Sequence, residues 1–184
     1  MGEREKMIAG QPYKASDPAL AKERADARRL IAEFNALDPA RTEGARHVLR
    51  IFFGEIGEGS HIEAPFHCDY GAQIRMGARV YVNMCCVFLD SAPITIGDDV
   101  QIGPSVQLLT ADHPRDAAER ASGLESALPI TIGPRSWLGG GVIVLPGVTI
   151  GSDVVVGAGS VVTASIPDGA TAVGNPCRVV QAGS

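Results

Sequence analysis

From Ile132 to Pro167 a branched aliphatic residue stands at every sixth position: Ile132, Leu138, Val144, Ile150, Val156 and Val162, with glycine directly after it in four of the six. Small or β-branched residues fall between them, at Ser136, Val142, Val148, Val154 and Ser160. A period of six matches neither a helix nor a plain strand. It is the hexapeptide signature of a parallel β-helix, in which each hexad forms a short strand and a turn and three hexads close one triangular coil of about 18 residues. The aliphatic residue points into the prism, and stacked coils bury one continuous apolar ladder.

The same pattern starts upstream at Ile56-Gly57, Ile62 and Cys68, returns at Met76-Gly77, Val82 and Phe88, and again at Ile96-Gly97, Ile102-Gly103 and Leu108. Here the coils begin at 56, 76 and 96, a spacing of 20, so each carries two residues beyond the minimal repeat. These predict a widened corner around Asp69-Tyr70 and Asp90-Ser91. Between Leu108 and Ile132 the pattern is interrupted by a polar stretch containing Ala111-Asp112-His113-Pro114-Arg115 and running to Glu125. A loop of that length in a compact solenoid is a candidate functional element.

Residues 1–54 carry no hexads. Glu3 to Ala9 reads as a short helix closed by Gly10. Asp17-Pro18 reads as an N-cap followed by proline at the first helical position. Leu20, Ala27, Leu30, Ile31, Phe34 and Leu37 then recur at helical spacing as far as Asp38-Pro39. A further helix is expected from about Arg41 to Phe53, with Gly54 ending it. The expected organisation is a helical cap over 1–54 and a β-helix over 55–184, with a projecting loop at 109–128.

Composition narrows the function. Aromatic residues are only 5% of the chain while 45% is hydrophobic, which suits a narrow interior of Val, Ile and Leu. A formal charge of −5 with no basic run argues against nucleic acid. The charged N-terminus has no signal-peptide pattern, and no apolar stretch reaches membrane-spanning length, so a soluble cytoplasmic protein is expected. Gly2 lacks the Ser or Thr of a myristoylation signal, since the sixth residue is Lys6. Cys68, Cys85, Cys86 and Cys177 show no CxxC spacing and read as reduced, mostly buried thiols.

Several segments together resemble a known group. They are Glu5-Lys6-Met7-Ile8-Ala9-Gly10, followed by Tyr13, Asp17 and the helix carrying Arg24; Pro65-Phe66-His67-Cys68-Asp69-Tyr70-Gly71; Tyr81-Val82-Asn83; Thr110-Ala111-Asp112-His113-Pro114; Trp137-Leu138-Gly139; and Gly174-Asn175-Pro176-Cys177-Arg178. The chain resembles the maltose/galactoside/nodulation O-acetyltransferases of the hexapeptide-repeat superfamily, and most of all maltose O-acetyltransferase. The resemblance implies a left-handed β-helix and a homotrimer. It also implies acetyl-CoA as cosubstrate in the groove between neighbouring subunits, with a small sugar acceptor near the projecting loop.

The resemblance also implies roles. His113 matches the general base that takes the proton of the acceptor hydroxyl, chemistry suited to imidazole at neutral pH. Asn83 matches a residue placed to donate to the acceptor or to the developing oxyanion. Tyr81, Asp69, Asp90, Ser91, Asp17 and Arg24 match acceptor-side positions, and Glu125 is a carboxylate able to orient His113 or a sugar hydroxyl. Trp137, Gly140, Ala158, Gly159, Thr163 and Arg178 match the coenzyme groove. Two departures stand out: Ala164 replaces a common Lys and Gln181 a common Arg, so weaker contacts to the coenzyme phosphates are expected. His47 reads as a helix-surface residue. His61 and His67 fall on successive faces of one coil, which argues against a His-rich metal site. No metal is expected. A lyase or metal-dependent enzyme on the same fold, and a non-catalytic scaffold, are the alternatives.

Overall fold

The computed structural model describes residues 1–38 and 42–183. Helix α1 (Glu3–Ile8) and the short strand Tyr13–Lys14 precede α2 (Pro18–Asn35) and α3 (Thr42–Phe52). Asp17 caps α2, its Oδ1 accepting from the Ala19 and Leu20 amides, as the Asp-Pro pair predicts. The helix ends at Asn35 rather than at Asp38, and the Asn35 side-chain amide is bolted to the first coil. Its Nδ2 donates to the Phe66 carbonyl and its Oδ1 accepts from the Phe66 amide, both at 2.9 Å. The expected start of the next helix at Arg41, and Pro39 before it, lie outside the described residues.

From Glu55 onward the chain winds into a prism with three parallel faces. The first face holds Glu55–Ile56, Ile74–Met76, Ile94–Ile96, Ile130–Ile132 and Thr149–Ile150. The second holds His61–Ile62, Tyr81–Val82, Gln101–Ile102, Trp137–Leu138, Val155–Val156 and Thr171–Val173, and Arg178–Gln181 closes it as an antiparallel end strand. The third holds Phe66–Cys68, Cys86–Leu89, Gln107–Leu109, Ile143–Val144 and Val161–Val162. Every residue that opens a hexad in the sequence from Ile62 on is buried, and equivalent residues pair in register, as Ile74 with Ile94 and Ile94 with Ile130. The interior narrows from Phe66 and Phe88, in an edge-on contact of 5.0 Å at the cap end, to Val, Ile and Ala at the other. Ala27, Ile31, Phe34, Leu49, Phe52 and Phe53 of the helical segment continue that core, so the helices plug the open end of the first coil.

The paired glycines after the inward residues have a steric cause. A Cβ on Gly133 would lie 2.5 Å from the Gly151 carbonyl carbon and the Ser152 amide nitrogen, both backbone of the next coil. Neither can retreat without separating the coils. Gly133→Ala is therefore expected to destabilise the fold by about 2–3 kcal/mol, seen as a lower urea midpoint. An unchanged midpoint would mean the coils can spread at that corner.

The interruption at 110–129 also has structure. Ala111–Asp112 pairs antiparallel with Leu124–Ala127, and that strand pairs with Tyr13–Lys14 from the N-terminal segment. A short helix, α4 (Ala117–Ala121), crosses the tip, capped by Asp116. The loop is thus held by the chain's own N-terminus. Met7, Tyr13, Leu20, Tyr70, Ala92 and Ala127 form a second apolar cluster beneath it.

Candidate active site

His113 stands exposed immediately after the strand Ala111–Asp112. Its backbone is fixed while its ring is not: its amide donates to Asp112 Oδ1 at 2.8 Å, and its carbonyl accepts from Arg115 Nη1 at 3.1 Å. Arg115 grips the Asp112 carboxylate with two nitrogens, at 2.9 and 3.0 Å. Arg120 donates to the Pro114 and Arg115 carbonyls. Burial alone would raise the Asp112 carboxyl, but the Arg115 guanidinium and the His113 amide hold it below the usual carboxylate range. Among the described residues nothing hydrogen-bonds the His113 imidazole, which leaves it available to a ligand.

Beside this loop lies the edge where the third face turns into the first. Asp69 is half-buried there, and burial raises its carboxyl while Arg24 and Arg28 pull it back and Glu125 pushes it further up. Arg24 donates to the Tyr70 hydroxyl and to the Ala15 carbonyl, both at 2.6 Å, and its guanidinium lies 5.7 Å from the Tyr70 ring centroid. It braces the corner rather than reaching outward. Glu125, expected beside His113 or a sugar, instead accepts from the buried Tyr13 hydroxyl at 3.0 Å and so ties the loop to the N-terminal strand. Asp17 serves as the helix cap.

Asp90 and Ser91 correct the sequence reading. Asp90 is fully buried and Ser91 is 3% exposed, so neither presents a side chain to an acceptor. Asp90 Oδ1 accepts from the Asp69 amide at 3.1 Å and the Tyr70 amide at 2.8 Å, and its Oδ2 accepts from the Gln73 amide at 3.3 Å. The two residues added to each early coil make a corner whose amides find no ladder partner, and Asp90 of the next coil supplies it. Burial pushes its carboxyl up to about 7, against the pull of the amides.

A second group gathers at a different edge, between the second and third faces. Tyr81 is on the second face, its ring stacked on His61 at 5.9 Å, its hydroxyl donating to Glu63 Oε1 at 3.3 Å. Asn83 opens the turn that follows. Its Oδ1 accepts from the Met84 amide at 2.8 Å, so what it can offer a ligand is its NH₂ group. Higher on that face Trp137 is 54% exposed, and the same edge carries Gly140, Ala158 and Gly159. A Cβ on Gly159 would meet nothing within 4 Å, and the nearest atoms to one on Gly140 would be those of Pro104 at 3.4 Å, so this edge offers bare backbone, open at Gly159. Arg178 is exposed at the start of the end strand and donates to the Cys177 carbonyl. Thr163 sits at the other edge, after Val161–Val162, with Ala164 exposed beside it, and Gln181 ends the last strand.

The chain therefore does not bring all its candidate residues together. His113, Asp69, Arg24 and Thr163 belong to one edge. Tyr81, Asn83, Trp137, Gly140, Ala158 and Gly159 belong to another. His61 and His67 lie on different faces, His47 is exposed on α3, and among the described residues no three His, Cys, Asp or Glu side chains are grouped to share an ion. Cys68, Cys86 and Cys177 are buried free thiols and Cys85 is an exposed one. No helix among the described residues is long and apolar enough to cross a membrane. Arg28 escaped the sequence reading, and Tyr70 was read there only as part of the widened corner. The spacing of Arg28 from Arg24, one helical turn, is the signal that could have found it.

Known proteins bear on this arrangement. A maltose acetyltransferase hexapeptide capping motif matches residues 6–57, and a bacterial transferase hexapeptide family of six repeats matches 129–164. Nodulation protein L of Rhizobium meliloti (strain 1021) is 48% identical over 177 residues, covering 96% of this chain and 97% of that protein. The crystal structure of a maltose O-acetyltransferase from Clostridium difficile 630 superposes with a TM-score of 0.98 at 46% identity, over 100% of this chain and 98% of that one. A galactoside acetyltransferase in complex with coenzyme A superposes with a TM-score of 0.94 at 36% identity, over 98% and 90%. With its left-handed β-helix and its helical N-terminal segment, the chain belongs to the hexapeptide-repeat acetyltransferases, in the group that includes maltose O-acetyltransferase, galactoside acetyltransferase and nodulation protein L.

Proposed function

We propose that this acetyltransferase moves acetyl from acetyl-CoA to a hydroxyl of a sugar, maltose-like or glucose-like, in sites formed between the subunits of a homotrimer. The observation that carries the reading is the split described above. A general base and its acceptor-side carboxylate stand at one edge of the prism, while the hydrogen-bond donor and the bare-backbone groove stand at another. Side-by-side packing of prisms sets the first edge of one subunit against the second edge of the next.

Acetyl-CoA supplies the activated acetyl thioester. Gly140, Ala158 and Gly159 leave room for a narrow chain against the backbone, Trp137 covers it, and Arg178 answers phosphate charge. The galactoside acetyltransferase relative was solved with coenzyme A, which supports that assignment. Asp69 orients the acceptor, with Tyr81 from the neighbouring subunit as the facing wall. His113 takes the hydroxyl proton as the C–O bond forms and returns it to the sulfur as the C–S bond breaks. The Asn83 NH₂ donates to the carbonyl oxygen on which charge develops. The reaction needs no metal and no covalent acyl-enzyme.

The test is thiol release from acetyl-CoA over a panel of sugars, run on His113→Ala, Asn83→Ala and the two variants co-expressed. Each variant alone is expected to be nearly inactive. Random mixing restores one intact pair at about a quarter of the interfaces, so the mixture should regain roughly that share of activity. No recovery in the mixture would place both residues in one subunit's site and sink the shared-site reading. No sugar-dependent release by the wild type would sink the sugar acceptor.

A further inference from the structure

A cavity of about 490 Å³ lies between α2 and the outer surface of the third face, and Asp69 forms part of its wall. It is within the usual size of small-molecule sites. The helix contributes Arg28, Ile31, Ala32 and Asn35, which recur on one helical stripe, and the prism contributes His67, Val87 and Leu89. Ala32 keeps the helix side of this space open. Ile31 turns into the core and Asn35 is bolted to Phe66, while the alanine between them projects only a methyl group.

Its chemistry is mixed in a definite way. Val87, Leu89 and Ile31 give an apolar wall. Asp69, His67 and Arg28 give acceptor and donor groups at the rim. Among the described residues no hydrogen bond or ion pair holds the Arg28 guanidinium, although its charge reaches Asp69. A pyranose ring presents the matching pattern, a C–H face and a hydroxyl edge. Charges of both signs at the rim fit a neutral polyhydroxyl better than an anion.

We propose that this cavity is a subsite for the second sugar ring of a glycoside acceptor, next to the ring held at Asp69 for acetylation. The proposal rests on the sugar-acceptor reading above. It makes disaccharides better acceptors than the corresponding monosaccharides, with the preference carried by Ala32 and Arg28.

The experiment compares kcat/KM for glucose against maltose, galactose against lactose, and N-acetylglucosamine against its dimer, in wild type, Ala32→Leu and Arg28→Ala. Wild type is expected to favour the disaccharide of at least one pair by about tenfold or more. Ala32→Leu projects a bulky side chain into the cavity and should abolish that preference, leaving the monosaccharide rate within about twofold. Arg28→Ala should reduce the preference in part. Equal rates for both members of every active pair would overturn the subsite. So would a preference that Ala32→Leu leaves intact, or a loss that strikes both members equally. A change of sedimentation in either variant would make the cavity a contact between copies instead. If no sugar of either size is acetylated, the failure belongs to the sugar reading itself, and the subsite falls with it.

Discussion

Replacing His113 by alanine is expected to lower acetyl transfer by about a hundredfold to ten-thousandfold, with the fold and the coenzyme affinity unchanged. The selectivity follows from how the residue is held. Asp112, Arg115 and Arg120 grip the backbone of the turn through its amide and carbonyls, and none of those bonds uses the imidazole. The ring is exposed, so its removal leaves no cavity and no unpaired partner. What disappears is the group that accepts the hydroxyl proton. An alcohol attacks a thioester poorly with that proton in place, and solvent water is a weak substitute. The measurement is sugar-dependent thiol release together with thermal melting and coenzyme titration. A loss under about tenfold would assign the base elsewhere. A large loss accompanied by a lower melting temperature would show that the ring also supports the loop.

The prism was legible because its code is one-dimensional. Each hexad states which residue points inward, so Ile132, Leu138 and Ile150 could be placed in the core without any partner being known. The two-residue surplus in the early coils likewise announced wide corners, and the corners at 69–73 and 90–93 are wide. What stayed hidden depends on contacts distant in sequence. Tyr13 meets Glu125 across 112 positions through a two-residue antiparallel strand, too short for any periodicity to reveal. The helix inside the loop had a local signal, Asp116 three residues before Glu119, that a search for hexads passes over. Asp90 and Ser91 were read as acceptor-side residues because they match family positions at a widened corner, although Asp and Ser also favour turns for local reasons. In the fold the corner of the coil before stacks over them, and a turn residue becomes an interior one.

That inversion gives Asp90 a stability role. In Asp90→Ala the amides of Asp69, Tyr70 and Gln73 lose their acceptor in a site sealed from solvent. A loss of about 3 kcal/mol or more is expected, with loosening of the corner that carries Asp69. Asp90→Asn should cost less, since one oxygen can still accept the two shorter bonds, from Tyr70 and Asp69. The pair of variants also separates charge from shape. Burial raises the folded-state carboxyl from 3.8 to about 7, so between those values the folded chain holds a proton that the unfolded chain has released. Stability contributed by the neutral carboxyl is thus fully present below about pH 4 and is lost as pH rises to about 7, by roughly 4 kcal/mol. Protonation at Oδ2, whose single bond at 3.3 Å is the longest of the three, would leave the two contacts at Oδ1 intact. Asn at this position mimics the protonated state and cannot titrate. Urea unfolding at pH 5 and pH 8, at one protein concentration, should show wild type losing stability relative to Asp90→Asn as pH rises. Parallel profiles would mean that the three amides hold Asp90 ionised throughout, and that its corner is an anion site filled by the chain itself.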